Sequence, residues 1–325
     1  MNNPTDSNTI GLLLIINRLQ LTGRSLGRET IVPLAEIKLP HVARDYDSLI
    51  CTLLEKGLIE GGTERFVLCP DGLEVVRDIA QTHSLHTWFY NEYYQAILHS
   101  RAHAFFCERV YGKDLGQHGM ADMEQIHDLL SELGVESGMA LLDFGCGDGQ
   151  IAEYIADTTH APVTGVDIAD EAIRLATLRT RDKREWLNFH VADLEGKLER
   201  FSDRCFDRIY AIDSLFFAPD QAFVTERLLS LLRPGGKLAV FYICSPDAEG
   251  TETALTKALT DIGMPYRVKD LSAQNAAHWQ KKKQVLLELE STFQAEGNAF
   301  LFKNRLAECD GMQSFHRYLY IVPAA

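Results

Sequence analysis

The sequence predicts an α/β fold, a mostly parallel sheet with helices on both faces, preceded by a smaller helical domain. Three observations carry that prediction. Between residues 138 and 245, apolar runs of strand length alternate with amphipathic helical segments. The first run ends in Asp143 and passes into Gly145-Cys146-Gly147-Asp148-Gly149, a glycine turn that opens a helix and brings backbone N–H groups toward a ligand. The next three runs also end in acids or are followed by them, at Asp167, Asp193 and Asp213.

Residues 1–80 read as a small domain. Ile10, Leu13, Leu14 and Leu21 form a helical stripe, a second helix is expected near residues 30–38, and residues 45–56 repeat the helical spacing. A hairpin follows at residues 57–60 and 65–68 around Gly61-Gly62, and Pro70 opens another helix to Ile79. Three helices and a hairpin resemble a winged helix. A DNA-reading version needs a basic third helix, yet this segment holds 8 Lys/Arg against 11 Asp/Glu, with Asp45, Asp47 and Glu55 on that helix. A packing or dimerisation role is therefore expected, with a homodimer through this domain and no nucleic acid.

Residues 81–137 are expected to form a helical cap or linker over the active site. Six of the 11 histidines fall here, among many aromatics. Only His99 and His103 stand at a helical metal-ligand spacing, and Ser100, Arg101 and Ala102 between them offer no third ligand, so no metal is expected. The glycine-interrupted stretch from Tyr111 to Asp122 reads as a lid over the carboxyl ends of the strands, where ligands bind in open α/β sheets.

From 138 to 325 the strands are expected at residues 140–143, 163–167, 187–191, 208–212 and 237–243. Helices are expected at 150–156, 170–180, around 194–201, and at 221–232. Arg233-Pro234-Gly235-Gly236-Lys237 reads as a turn into the fifth strand. Beyond Ser245 the pattern gives a helix at 252–262, a strand at 265–270, helices at 276–296 and 300–308, and a last strand at 317–322.

Composition narrows the function. Seven scattered cysteines without a Cys-x-x-Cys pair predict reduced thiols and a cytoplasmic protein rather than a disulfide framework or zinc site. The net charge of −14 disfavours phosphate backbones. Apolar runs such as 12–16 and 238–244 fall far short of the roughly 20 residues a membrane span needs.

In combination, Leu142-Asp143-Phe144-Gly145-Cys146-Gly147-Asp148-Gly149, Gly165-Val166-Asp167-Ile168, Ala192-Asp193, Phe206-Asp207-Arg208-Ile209 and Leu232-Arg233-Pro234-Gly235-Gly236 resemble the class I S-adenosylmethionine-dependent methyltransferases. The resemblance is strong over residues 138–243. It implies a Rossmann-like seven-stranded sheet whose last strand is antiparallel, with S-adenosylmethionine as cofactor. It also implies Asp167, next to Ile168, on the cofactor's ribose, Asp193 and Leu194 near its adenine, and the turn from Gly145 through Cys146, Gly147 and Gly149 near its methionine part. Asp143 is expected to hold the turn or a charged amino group, and Asp213 completes the acidic edge. A dinucleotide dehydrogenase shares the glycine turn, but its fingerprint spaces the last glycine differently.

Asp213-Ser214-Leu215-Phe216-Phe217 lacks the prolines of nucleic-acid amino methyltransferases. The expected acceptor is thus a small molecule of secondary metabolism, methylated on nitrogen or oxygen. His118 and Asp213 are the candidate catalytic groups. Tyr111, Gln117, Asp122, Ser214, His278 and Trp279 are candidates for acceptor binding, Trp279 through its ring face. The competing reading is a regulatory protein that senses a ligand and binds DNA through its winged helix. Asp167→Ala is expected to weaken cofactor binding severely while the chain still folds; titration with S-adenosylmethionine beside a melting curve checks both halves.

Overall fold

The computed structural model describes residues 6–62, 65–80, 85–192, 197–246 and 252–324. The chain forms two compact units, residues 1–96 with 297–305 and residues 97–296 with 306–325. These divisions differ from the expected boundaries at 80 and 137. The aromatic helix after residue 84 joins the first unit, because Phe89 and Tyr93 are buried there and Arg305 donates to the Tyr93 hydroxyl.

The first unit contains α1 (Ser7–Leu21), α2 (Arg28–Lys38), α3 (Pro40–Arg44), α4 (Tyr46–Glu55), the hairpin β1 (Ile59–Gly62) and β2 (Arg65–Leu68), α5 (Pro70–Ala80) and α6 (Leu85–Ile97). Helix α1 starts at Asp6, whose carboxylate accepts from the Asn8 and Thr9 amides at 3.1 Å. Its run from Leu12 to Ile16 is wholly buried, so neighbouring elements cover α1 on several sides. Helix α3 is additional to the sequence expectation. Pro40 disfavours helical backbone at Leu39 and restarts the chain as the first residue of a new helix.

The second unit runs α7 (Arg101–Tyr111), α8 (Met123–Leu133), β3 (Leu141–Phe144), α9 (Gln150–Thr159), β4 (Val163–Asp167), α10 (Asp170–Arg179), β5 (Leu187–Val191), β6 (Phe206–Ile212), α11 (Gln221–Ser230), β7 (Leu232–Cys244), α12 (Ala254–Asp261), β8 (Arg267–Asp270) and α13 (Ser272–Ala295). It ends with α14 (Ala299–Gly311), which begins in the first unit, and β9 (His316–Pro323). The sheet order is β5-β4-β3-β6-β7-β9-β8. Strands β3 to β7 pair in parallel, whereas β9 runs antiparallel to both β7 and β8. This is the expected seven-stranded arrangement.

The parallel strands are nearly continuous apolar runs because helices cover both faces. Leu142, Phe144, Ile209, Leu238 and Val240 point into one layer of core, while Leu141, Tyr210, Ala239 and Phe241 point into the other. Chain order reverses about β3. Strands β4 and β5 continue on one side of it and β6 returns on the other, which opens a crevice at the carboxyl ends of β3 and β6.

Two details depart from expectation. Strand β7 begins at Leu232, so the Arg233–Lys237 turn is taken into the strand as an irregularity: pairing jumps from Phe206↔Leu232 to Arg208↔Lys237 and Gly235 adopts φ +77°. Of the helix expected around 194–201, a 3-10 turn at Lys197–Arg200 forms, and residues 194–196 lie outside the described residues.

Packing between β4 and β5 leaves no room at Gly165. A Cβ there would lie 2.6 Å from the Phe189 ring and 2.7 Å from the Cys146 sulfur. Gly165→Ala should therefore lower stability by about 1–3 kcal/mol, read as an earlier urea midpoint of the full chain at unchanged slope.

Candidate active site

The glycine turn is built where β3 meets α9. Gly145, Gly147 and Gly149 have φ of +84°, +55° and +72°, a left-handed backbone that a side chain would strain. Gly145 also has no space for one, since its Cβ would lie 2.2 Å from that of Ser214. The amides of Gly145 and Cys146 both donate to the Val166 carbonyl, at 2.8 and 3.0 Å, which ties the turn to the end of β4.

Asp167 completes that tie. One carboxylate oxygen accepts from the Gly147 amide at 2.8 Å and the other from Ala169 at 2.9 Å, beside the Ile168 amide. Burial raises its pKa above the usual carboxylate range, and the three amides counteract that rise. The bonds add a cost to Asp167→Ala that the sequence did not show, because two amides would lose their acceptor.

Asp143, 2% exposed at the end of β3, is pushed up to about 8 by burial, with the Asp167 charge adding to the rise. The Tyr210 hydroxyl beside it acts in the opposite direction. Asp143 is therefore mostly protonated at neutral pH. Asp148 is pushed up to about 6 by burial, which the Arg179 guanidinium 3.7 Å away and the Gln150 amide at 2.8 Å partly offset. The buried Cys146 thiol is raised well above its ordinary value, first by burial and then by the acids around it.

Asp213 takes a different position from a general base. It follows β6 with φ +55°, and its carboxylate is held by both terminal nitrogens of Arg317, which is fully buried on β9. The Met120 amide donates to the same carboxylate at 2.7 Å. Arg317 also donates to Gln125 on α8 at 3.0 Å and lies over the Phe241 ring. Sequence reasoning missed Arg317. Its signal was a cation standing directly before the apolar run Tyr318–Val322, within the same strand.

The segment between α7 and α8 lies on the glycine turn and on Asp213. A Cβ on Gly116 would meet Gln150 at 2.5 Å and Asp148 at 3.3 Å, and one on Gly119 would meet Asp213 at 2.4 Å. Tyr111 donates to the Gly119 carbonyl at 2.8 Å, while Gln117 accepts from Leu115 and donates to Lys113 within the loop. Asp122 caps α8 through the Gln125 amide. Ser214 donates to the Phe144 carbonyl at the end of β3.

His118 is partly exposed, with Nε2 3.3 Å from the Glu308 carboxylate. His278 is buried against Tyr111 and 3.8 Å from Asp122; burial and the nearby Lys282, Arg317 and Lys281 charges push it down to about 3, so it is neutral. Trp279 does hold a cation on its ring face, but a residue of this chain supplies it: the fully buried Lys282 ammonium, 4.1 Å from the ring. Asp193 and Leu194 lie outside the described residues.

Residues 142–240 match the family model described as a methyltransferase domain. The sterol 24-C-methyltransferase of Aspergillus fumigatus is 33% identical over 145 residues, 44% of this chain and 37% of that protein. Phosphoethanolamine N-methyltransferase 1 of Triticum aestivum is 29% identical over 148 residues, 45% of this chain and 29% of that protein. The matches thus span well under half the length of these relatives. In three dimensions the fold is similar to Haemonchus contortus phosphoethanolamine N-methyltransferase 2, solved with phosphomonomethylethanolamine and S-adenosylhomocysteine, at a TM-score of 0.53, 16% identity, 72% of this chain and 60% of that one. Residues 142–240 thus match a methyltransferase domain, and the fold that contains them is similar to that of a solved methyltransferase.

The protonated Asp143 has a thermodynamic consequence. Its folded pKa of about 8 lies above the ordinary 3.8. Between those values the native chain keeps a proton that the unfolded chain has lost, so this group's contribution declines as pH rises through that window, by at most about 1.4 kcal/mol per pH unit. Asp143→Asn removes the decline. Urea titrations of both proteins from pH 5 to 8 should show the variant gaining on the wild type as pH rises, and parallel pH slopes would contradict the assignment.

Proposed function

We propose that this chain transfers the methyl group of S-adenosylmethionine to a nitrogen or oxygen of a small-molecule acceptor. The observation that carries the reading is the site's construction: a methyltransferase-domain sequence places the glycine turn and Asp167 in hydrogen bond at the crevice beside β3 and β6.

The residues present fit such a cofactor. An ionised carboxylate offers about four lone-pair positions, and the Gly147 and Ala169 amides take one on each Asp167 oxygen. A position remains on each for a ribose hydroxyl. Asp143, neutral by burial, regains its charge beside a cationic amino group or sulfonium, so binding should expel a proton near neutral pH. The cofactor supplies an electrophilic methyl on a sulfonium; the acceptor's lone pair forms the new bond as the carbon–sulfur bond breaks and its electrons stay on sulfur.

The chain's own work is to position, exclude water and take a proton. The Asp213–Arg317 pair holds the lid backbone at Met120, where Gly116 closes on the turn. We assign the proton-accepting role to His118, whose Nε2 lies 3.3 Å from the Glu308 carboxylate, a neighbour that favours the protonated imidazole. Asp213 acts as a positioning residue, since its carboxylate is committed to Arg317.

For residues 1–80 we assign a packing or dimerisation role. On α4, Asp47 is paired with Arg28, and Asp45 and Glu55 add negative charge, which opposes binding to a phosphate backbone.

Calorimetric titration of the full chain with S-adenosylmethionine should give a Kd on the order of micromolar, with protons released at pH 7 that Asp143→Asn does not release. Absence of binding at millimolar cofactor overturns the reading. A salt-dependent gel shift on duplex DNA would favour the regulatory alternative.

A further inference from the structure

A second cluster of chemically capable side chains lies at the junction of α7 and the lid. His103 and Cys107 stand one turn apart on α7, 2% and 0% exposed, with the sulfur 3.7 Å from either ring nitrogen. The chain then reverses at Gly112, φ +87°, and returns Asp114 over the same spot. One donor atom from each of the three residues lies within 4.8 Å of the other two.

The geometry and chemistry suit a metal ion. Zinc bonds of about 2.0–2.3 Å in a tetrahedron separate the donors by roughly 3.3–3.8 Å, within small side-chain adjustments of the spacing seen. One Asp114 oxygen accepts from the Gly116 amide at 3.1 Å, which fixes the carboxylate and leaves its second oxygen for coordination. The Cys107 thiol faces the Gln117 carbonyl at 4.0 Å, a contact that coordination of the deprotonated sulfur would replace. A thiolate, an imidazole and a carboxylate together favour zinc over magnesium or calcium. The sequence had paired His103 with His99 and found no third ligand; the fold pairs it with Cys107, one turn onward. Asp114 and Asp148 also act on each other electrostatically, a repulsion that a divalent cation would offset.

We propose that His103, Cys107 and Asp114 bind one zinc-type divalent cation that clamps the lid to α7. Binding releases the Cys107 proton to solvent as the sulfur–metal bond forms, so affinity weakens toward acid pH. Because Gly116 sits against Asp148 and Gln150, the clamp fixes the loop that covers the glycine turn. The site is independent of which methyl acceptor the enzyme uses.

The full chain, stripped with a chelator, incubated with a small excess of zinc sulfate and gel-filtered, should retain about one zinc per chain by elemental mass spectrometry. Cobalt in place of zinc should give a near-ultraviolet thiolate charge-transfer band and the visible bands of a four-coordinate ion. Cys107→Ser should abolish the charge-transfer band. Asp114→Asn, at a half-buried loop position that leaves the helix intact, should lose most of the retained zinc while keeping the wild-type circular dichroism. At zinc about a hundredfold above Kd the wild-type melting temperature should rise by roughly 5 °C, and that of Asp114→Asn should not. Zinc at background level in the wild type, or retained equally by Asp114→Asn and Cys107→Ser, overturns the proposal.

Discussion

The buried pair of Arg317 and Asp213 is the interaction on which the larger unit's site depends. A guanidinium with no exposed surface must be matched by acceptors, because an unpaired buried charge costs several kcal/mol. Arg317 meets that demand with groups from separate elements, the Asp213 carboxylate after β6 and the Gln125 side chain on α8, while resting on Phe241 of β7. The antiparallel strand is therefore more than a sheet edge. It delivers the cation that holds the carboxylate after β6, and through that carboxylate's bond to the Met120 amide it ties down the segment between α7 and α8 as well. Breaking such a pair from one side costs about 3–5 kcal/mol by general experience, a large fraction of a domain's stability.

Three carboxylates at one sheet edge would repel each other if all were treated alike, and the fold treats each differently. Asp213 is neutralised by a cation. Asp167 accepts backbone amides, which counteract the rise that burial imposes on its pKa, and in doing so it locks the glycine turn to β4. Asp143 has neither device at full strength and takes up a proton. Burial of Asp143 thus lowers the resting charge of this edge near neutral pH. A positive charge brought beside Asp143 would restore its ionised form and so couple to pH without any histidine.

Much of this was legible in the sequence. The strand-helix alternation, the acids at strand ends and the glycine turn fixed the parallel half of the sheet to within a few residues, because apolar runs buried on both faces leave little choice of element. Leu39-Pro40 was readable in principle as a helix break, and so was the lone Arg317 in an apolar strand. What could not be read was pairing across long sequence separations. Arg317 and Asp213 are far apart in the chain, and only the sheet order brings β9 within reach of the end of β6. For the same reason Asp213 looked like a base: a strand-end carboxylate is a proton acceptor until something else occupies it. Cys107 and His103 were close in sequence, yet the turn at Gly112 that adds Asp114 to them is a tertiary fact.

The occupant of the Trp279 ring face bears on how an acceptor is held. Trp279 and Tyr111 were candidates to receive a cationic acceptor, and the Lys282 ammonium already lies 4.1 and 5.9 Å from their ring centroids, with the Met120 sulfur 3.4 Å away. An acceptor ammonium entering that cage would have to expel a fully buried lysine or share the space with a like charge, and both are costly in a low-dielectric interior. Lys282 instead lends positive charge to the underside of the lid, beside a neutral His278 and the Arg317 guanidinium. The Trp279 ring face is thus engaged within the chain, and the cation on it is a structural charge of α13.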